Sequence, residues 1–185
     1  YVLLLGGAGP EEQAFFAKHL ISASIMAAPA ALVMAKLILP ETEVSETVGT
    51  VRTTIERPHV NLIEAAAGGA GEGLKLALNV GAMLLAFLAL IALINGPLGW
   101  LGAITGLEAW LGQPLDLALI LGWLFSPLAF LVGVPWDEAI AVGGLIGTKI
   151  VANEFVAYVA LTEAQVDLSE RSVLIATYAL CGFAN

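Results

Sequence analysis

The sequence predicts an all-α integral membrane protein with interrupted helices. Of its 185 residues, 59% are hydrophobic and 12% are charged, and the mean hydropathy is +0.91. A soluble domain holds only about 45–50% apolar residues. Apolar runs lie near residues 17–39, 75–95, 115–134 and 139–161, and a fifth begins near residue 171. These runs predict four crossings of a bilayer and the start of a further element.

Residues 1–39 are predicted to hold a connection followed by the first membrane-spanning helix. This run carries Ser24, and then Pro29, which removes a backbone hydrogen bond inside a helix. We therefore expect a broken helix here. Ser24 has two interpretations: it contributes a hydroxyl at the break, or it bonds back to its own helix as serines in apolar helices often do.

Residues 40–74 are predicted to form a polar loop and an interfacial helix. The segment closes with NLIEAAAGGAGEG, in which Gly69 and Gly73 are spaced for the close approach of another helix. A flexible glycine-rich loop is the alternative. Arg52 and Arg57 favour a cytoplasmic position for this loop, because basic residues concentrate on that side of a membrane.

Residues 75–134 are predicted to form two scaffold helices. The first is nearly free of helix breakers and is long enough to cross about 30 Å of hydrocarbon at 1.5 Å per residue. The second contains Ser126 and Pro127, so we expect it to be kinked.

Residues 135–161 are predicted to form a second broken helix, around the stretch GTKIVANEFVAYV. An ionised carboxylate at the bilayer centre costs at least about 2.5–3.5 kcal/mol, so Glu154 should face protein, water or a ligand. Lys149 would lie roughly 140° away from Glu154 around a regular helix and would not pair with it. If the helix unwinds at Asn153, its amide and the Glu154 carboxylate converge on a cavity. The alternative is a buried carboxylate that bonds another helix and binds no ligand.

Charge and motifs narrow the class of protein further. The net charge of −9 comes from 16 acidic and 7 basic residues, and the absence of a basic patch argues against nucleic acid as a partner. LLLGGAG lacks the third glycine of a dinucleotide site, and GGLIGTK is a near miss to a phosphate-binding loop.

The single cysteine, Cys181, excludes an internal disulfide framework. Because the chain begins at Tyr1 and stops in an apolar run, we expect a piece of a longer protein.

Three strings in this order, SIMAAPAALVMAK, NEFVAY and FAN, resemble the concentrative nucleoside transporter family. EGLKLALNVGAMLLAFLALIALIN and LGWLFSPLAFLVGVPW resemble its intervening helices, so the resemblance covers essentially the whole chain. It implies a multi-span transporter with broken helices and re-entrant hairpins. Residues 162–185 would then begin the second hairpin.

The resemblance also implies a function and a set of site residues. Members are homotrimeric symporters of the plasma membrane, of bacterial inner membrane type, which take up nucleosides with sodium or protons and need no cofactor. By similarity, Glu154 and Asn185 would bond ribose hydroxyls, Phe183 would contact the nucleoside, and Asn153 belongs to the same motif. Ser24 and Ile25 would bind sodium through a hydroxyl and a carbonyl.

The sequence leaves other classes open. By the resemblance, the first hairpin carries base recognition and would precede Tyr1. The residues that determine base and ion preference are therefore not expected in this chain. A carrier of another polar solute with the same architecture is the nearest alternative. A membrane enzyme and a purely structural subunit are the more distant ones.

Overall fold

A computed structural model of the chain describes residues 1–40, 42 and 60–182. Every regular element in these residues is an α-helix, in agreement with the predicted all-α class. The helices are α1 (Val2–Gly6), α2 (Pro10–Ile38), α3 (Leu62–Thr105), α4 (Leu107–Leu111), α5 (Leu117–Leu131), α6 (Ala139–Val151), α7 (Glu154–Ala164) and α8 (Glu170–Cys181). The chain divides into two compact units, one of Tyr1–Ala30 with Phe87–Asn185, and one of Ala31–Ala86.

Two helices in the described residues, α2 and α3, are long and apolar enough to cross a membrane. Helices α5 and α6 are also apolar but have 15 and 13 residues. At 1.5 Å per residue each is shorter than the roughly 30 Å that a single crossing needs. The predicted third and fourth crossings are therefore not single long helices.

Helix α2 corrects the expectation of a break in the first run. It continues without interruption from Pro10 to Ile38, with Pro29 inside it. A proline in a helix removes one backbone hydrogen bond, and apolar membrane helices tolerate this because all the other backbone bonds remain within the helix. Pro29 therefore leaves one carbonyl, that of Ile25, without its usual donor four residues later, and the helix does not unwind.

Helix α3 begins within the predicted interfacial helix and continues into the second apolar run, so the segment from Leu62 is helical and not a flexible loop. It starts at Leu62, where the Asn61 side chain accepts from the Glu64 amide at 2.8 Å and the Glu64 carboxylate accepts from the Val60 amide at 2.9 Å. This reciprocal capping fixes the helix start. The helix then runs for 44 residues to Thr105, with Pro97 inside it. A Cβ added at Gly69 or Gly73 would meet nothing within 4 Å among the described residues.

Helix α6 lies at the centre of the first unit and packs against α5, α7 and α8. Its contact with α5 is close because both helices present glycine. A Cβ on Gly143 would lie 2.8 Å from the Gly122 carbonyl oxygen, and one on Gly122 would lie 2.6 Å from the Ile140 carbonyl oxygen. Small residues allow such backbone approach between membrane helices. The string GGLIGTK thus lies inside a helix and forms a packing surface, not a phosphate-binding loop.

Helix α5 shows how a proline is accommodated next to this surface. Pro127 cannot donate to the carbonyl of Trp123, four residues earlier. The hydroxyl of Ser126 donates to that carbonyl at 3.1 Å and replaces the lost backbone bond. Helix α5 remains continuous through Leu131.

Candidate functional site

The interruption between α6 and α7 lies where the sequence predicts it. Helix α6 ends at Val151, and Ala152 leaves the helical conformation with φ −104° and ψ −90°. Asn153 is extended, and its side-chain oxygen accepts a hydrogen bond from the Val156 amide at 3.0 Å. Asn153 is therefore the N-cap of α7, a position that favours this residue type. Its amide oxygen, which the sequence suggested for a ligand, has this structural role.

Glu154 occupies the first position of α7 and is partly buried. The free amides and the dipole at the start of a helix favour a negative charge there, which reduces the cost of a carboxylate in an apolar segment. The hydroxyl of Tyr1 donates to the Glu154 Oε1 over 3.4 Å. The interruption between α6 and α7 thus places the Glu154 carboxylate at the N-terminus of α7, next to the hydroxyl of Tyr1.

Aromatic rings line one side of this carboxylate. The Tyr1 ring lies 4.5 Å from the ring of Tyr158 and 6.2 Å from that of Phe155, measured between centroids. Tyr158 is fully buried, and its hydroxyl donates to the Thr177 carbonyl on α8 at 2.8 Å. This bond ties α7 to α8 one helical turn after Glu154. Nothing in the sequence around Tyr158 indicates this partner.

Lys149 is a residue that sequence reasoning missed. Its side chain is buried, with 7% exposure, and its Nζ donates to the carbonyl of Ala179 at 2.9 Å. Ala179 lies near the C-terminal end of α8, 30 residues further along the chain. The angle between Lys149 and Glu154 around one helix carries no information about a bond from Lys149 to another helix.

Helix α2 contacts the same end of α8. The Ser24 Oγ lies 3.4 Å from the Cys181 Sγ, and the His19 Nδ1 lies 3.0 Å from the Tyr178 hydroxyl. The Ser24 hydroxyl therefore contacts α8. The Ile25 side chain is exposed and apolar, so any polar contact from Ile25 would have to come from its backbone.

Two of the residues discussed above, Ser24 and Lys149, meet at the C-terminal end of α8. Ser24 lies against Cys181, the last residue of α8, and Lys149 reaches the same end from α6. Gly182 then leaves α8 with an extended backbone, φ −72° and ψ 139°. Phe183 and Asn185 follow directly in sequence and lie outside the described residues.

The described residues contain no group of three or more His, Cys, Asp or Glu side chains that could hold a metal ion. The polar groups at the break are a carboxylate, an amide, hydroxyls and backbone carbonyls. These are hydrogen-bonding groups for a polyol and oxygen ligands for a hard cation. They do not form the nucleophile and base pair of a hydrolytic enzyme.

An all-α membrane protein with an interrupted apolar helix that presents a carboxylate at the break has the architecture of a secondary transporter. The chain belongs to the Na+ dependent nucleoside transporter family: the model of the C-terminal part of that family matches residues 19–185. The family indicated by the sequence motifs is confirmed.

Known relatives cover the chain nearly end to end. It is 51% identical over 172 residues to the nucleoside permease NupC of Helicobacter pylori, a match that covers 90% of this chain and 39% of the permease. It is 40% identical over 186 residues to sodium/nucleoside cotransporter 1 of Mus musculus, which covers 91% of this chain and 28% of the cotransporter. The chain therefore spans well under half the length of these relatives.

Solved structures agree with the fold. CNTnw in an inward-facing substrate-bound state is similar with a TM-score of 0.72 and 51% identity, over 90% of this chain and 38% of that chain. These relatives are transporters, which supports the transporter prediction over the membrane-enzyme alternative. The chain is part of an integral membrane protein.

Proposed function

We propose that the protein containing this chain is a secondary active symporter that carries nucleosides into the cell with a sodium or proton gradient. The observation that carries the proposal is the break at Ala152 and Asn153, which presents Glu154 at a helix start in a chain of this family. A ribose is a polyol whose hydroxyls need acceptors once water is removed. The Glu154 carboxylate offers two acceptor oxygens.

The remaining ligand contacts are assigned from the family resemblance. Phe183 and Asn185, which follow the end of α8, are proposed to contact the nucleoside, with Asn185 also bonding ribose hydroxyls. Asn153 is proposed to contribute its amide nitrogen, because its oxygen caps α7. Each assignment predicts weaker nucleoside binding when the side chain is truncated.

The coupling ion, where it is sodium, is proposed to bind at Ser24 and Ile25. Two observations support this position. The proline at 29 removes the helical donor for the Ile25 carbonyl, which leaves an acceptor in an apolar helix. The Ser24 hydroxyl lies on the side of α2 that faces the end of α8. Sodium bound here would lie next to the segment that leads to Phe183.

Assembly and location are proposed from the family resemblance. We expect a homotrimer in the plasma membrane, of the bacterial inner membrane type. The mass of the purified full-length protein, measured by light scattering after subtraction of the detergent, tests the trimer.

The experiment uses the full-length protein in liposomes with radiolabelled uridine. Uptake is followed under an inward sodium gradient, an inward proton gradient, or neither. We expect uptake above equilibrium under one gradient and its loss in Glu154→Ala. Glu163→Ala is the matched control, because Glu163 lies on the same helix and is exposed. Glu154→Gln tests coupling: a bound cation would offset the carboxylate charge, so the neutral variant should lose the dependence on the gradient.

Two results would contradict the proposal. Folded, inserted protein without gradient-dependent uridine uptake would direct the test to other polar solutes, with free ribose and adenosine as competitors. Full ion-coupled uptake by Glu154→Gln would show that the carboxylate charge has no part in coupling.

A further inference from the structure

Lys149 carries a positive charge inside the protein, and its environment explains how this is tolerated. An ammonium group removed from water is costly unless it is paired or hydrogen-bonded. The Lys149 Nζ donates to the Ala179 carbonyl at 2.9 Å. That carbonyl is one of the last four of α8, which have no donor within the helix, and the end of a helix carries partial negative charge. Lys149 is thus the C-terminal cap of α8, supplied by a different helix.

The position of Lys149 links two parts of the candidate site. It lies in the last turn of α6, three residues before Ala152, where the helix ends and the chain turns toward Glu154. Its partner Ala179 lies three residues before Gly182, where the chain leaves α8. A Cβ added to Gly182 would lie 3.7 Å from the Lys149 Nζ.

We propose that Lys149 is a positioning residue, whose ammonium holds the end of α8 against the break between α6 and α7. This contact thereby fixes the position of the segment that begins at Gly182 relative to Glu154. This inference rests on the proposed function, which assigns the ligand contacts to Glu154 and to Phe183 and Asn185. Lys149 itself need not touch the nucleoside, because it acts through the end of α8.

The alternative explanation of Lys149 is general stability. A residue that only stabilises the fold lowers the melting temperature and the yield of folded protein, but leaves the folded protein with normal affinity. A positioning residue changes the affinity of the folded protein. It also changes the exposure of the end of α8, where Cys181 provides a chemical probe.

The test is carried out on the full-length protein in detergent with two readouts. The first is the Kd for uridine, measured on the monodisperse fraction by equilibrium binding. The second is the rate at which N-ethylmaleimide alkylates Cys181, followed by mass spectrometry of its peptide. Cys181 is partly buried, and its Sγ lies near the Ser24 hydroxyl and the Leu20 carbonyl, so release of the helix end should expose it.

Lys149→Met removes the donor with little change of volume. We expect the Kd for uridine to rise about tenfold, the effect of losing roughly one charge-assisted hydrogen bond, and Cys181 alkylation to accelerate. Lys149→Arg retains charge and donors and should keep the Kd within about threefold of the wild type. Lys75→Met is the control, because Lys75 is an exposed lysine of α3 and should change neither readout.

A second variant keeps the test decisive where Lys149→Met folds poorly. Lys149→Gln retains an N–H donor on a shorter, uncharged side chain, and should raise the Kd by about threefold. Either folded variant with a wild-type Kd and a wild-type alkylation rate would overturn the positioning role. Wild-type protein that binds no nucleoside would overturn the proposed function instead, while faster Cys181 alkylation in Lys149→Met would still support the link between α6 and α8.

Discussion

The packing of α6 on α5 predicts that Gly143→Ala destabilises the protein. A Cβ at this position would lie 2.8 Å from both the Gly122 carbonyl oxygen and the Ser126 amide nitrogen, and 3.0 Å from the carbonyl carbon of Phe125. Ordinary contact begins at 3.4 Å. All three neighbours are backbone atoms, so no side chain can rotate away. The new methyl group must therefore move one helix relative to the other.

The size of the effect follows from these distances. Helix α6 would have to retreat by about 0.6 Å, and adding a methyl group to a well-packed contact costs about 1–3 kcal/mol. Alanine is also a better helix former than glycine by about 1 kcal/mol, which acts in the opposite direction. The steric cost is isolated by comparison with a glycine whose added methyl group meets nothing.

Gly71 supplies that comparison, since it lies inside α3 and a Cβ there would meet nothing within 4 Å in the described chain. Gly71→Ala should leave the melting temperature equal or raised, and Gly143→Ala should lower it. The difference between the two variants should be about 1–3 kcal/mol in the free energy of unfolding. The measurement is thermal unfolding of the purified full-length protein in detergent, read as loss of the monodisperse fraction. Equal melting temperatures for the two variants would show that α6 does not approach α5 as closely as the structure has it.

Two further predictions concern the contacts of α8. Tyr158→Phe removes the donor to the buried Thr177 carbonyl, so it should lower the free energy of unfolding by about 1–3 kcal/mol, measured by the same thermal assay. Hydrogen bonds from Ser172 and Ser169 lower the pKa of the Glu138 carboxyl below its ordinary value of 4.5. A lowered pKa means that the contribution of Glu138 to stability is present above about pH 4.5 and is lost as the pH falls through the folded-state pKa. Melting temperatures between pH 7 and pH 3 should show this loss in the wild type and a smaller one in Glu138→Gln.

Both predictions have a clear contrary result. Tyr158→Phe with wild-type stability would mean that the Thr177 carbonyl finds another donor, and that the aromatic contacts alone hold α7 against α8. Identical pH profiles for the wild type and Glu138→Gln would mean that the start of α8 is stabilised by its serines without the carboxylate.

The interruption at Asn153 could be predicted because its causes are local. A carboxylate and an amide in an apolar run are costly in a continuous membrane helix, and asparagine is a favoured N-cap residue. Both features can be read within a few residues of sequence. The structure adds that the Asn153 oxygen is used for the cap, so one group expected to face a ligand also holds the helix start.

The prediction of an interruption near Pro29 was wrong, because the sequence around Pro29 has no second feature that favours a break. A proline removes one hydrogen bond, and nothing nearby competes for the rest of the backbone, so α2 continues. Pro127 behaves in the same way in α5, where the Ser126 hydroxyl takes over the orphaned carbonyl. A proline alone is thus a weak sign of a broken membrane helix, and a charged residue with a capping residue before it is a stronger one.

The contacts of Lys149 and Tyr158 could not be predicted from the sequence. Their partners are the backbone carbonyls of Ala179 and Thr177, 30 and 19 residues away. Every residue has a backbone carbonyl, so the residue type does not show which carbonyl will accept a bond. Only the packing of α8 against α6 and α7 brings these groups together. The sequence shows the cost of a buried lysine, and the tertiary structure shows what offsets it.

These contacts bear on how an ion and a nucleoside could act on one another. Under the proposed function, sodium binds near Ser24 and the nucleoside binds at Glu154 and beyond Gly182. Ser24 lies against Cys181 at the end of α8, and Lys149 joins that end to the segment before Glu154. Both ligands would then order the same end of α8, so each would lower the conformational cost that the other meets. Such coupling must be reciprocal, so the factor by which sodium raises nucleoside affinity is also the factor by which nucleoside raises sodium affinity.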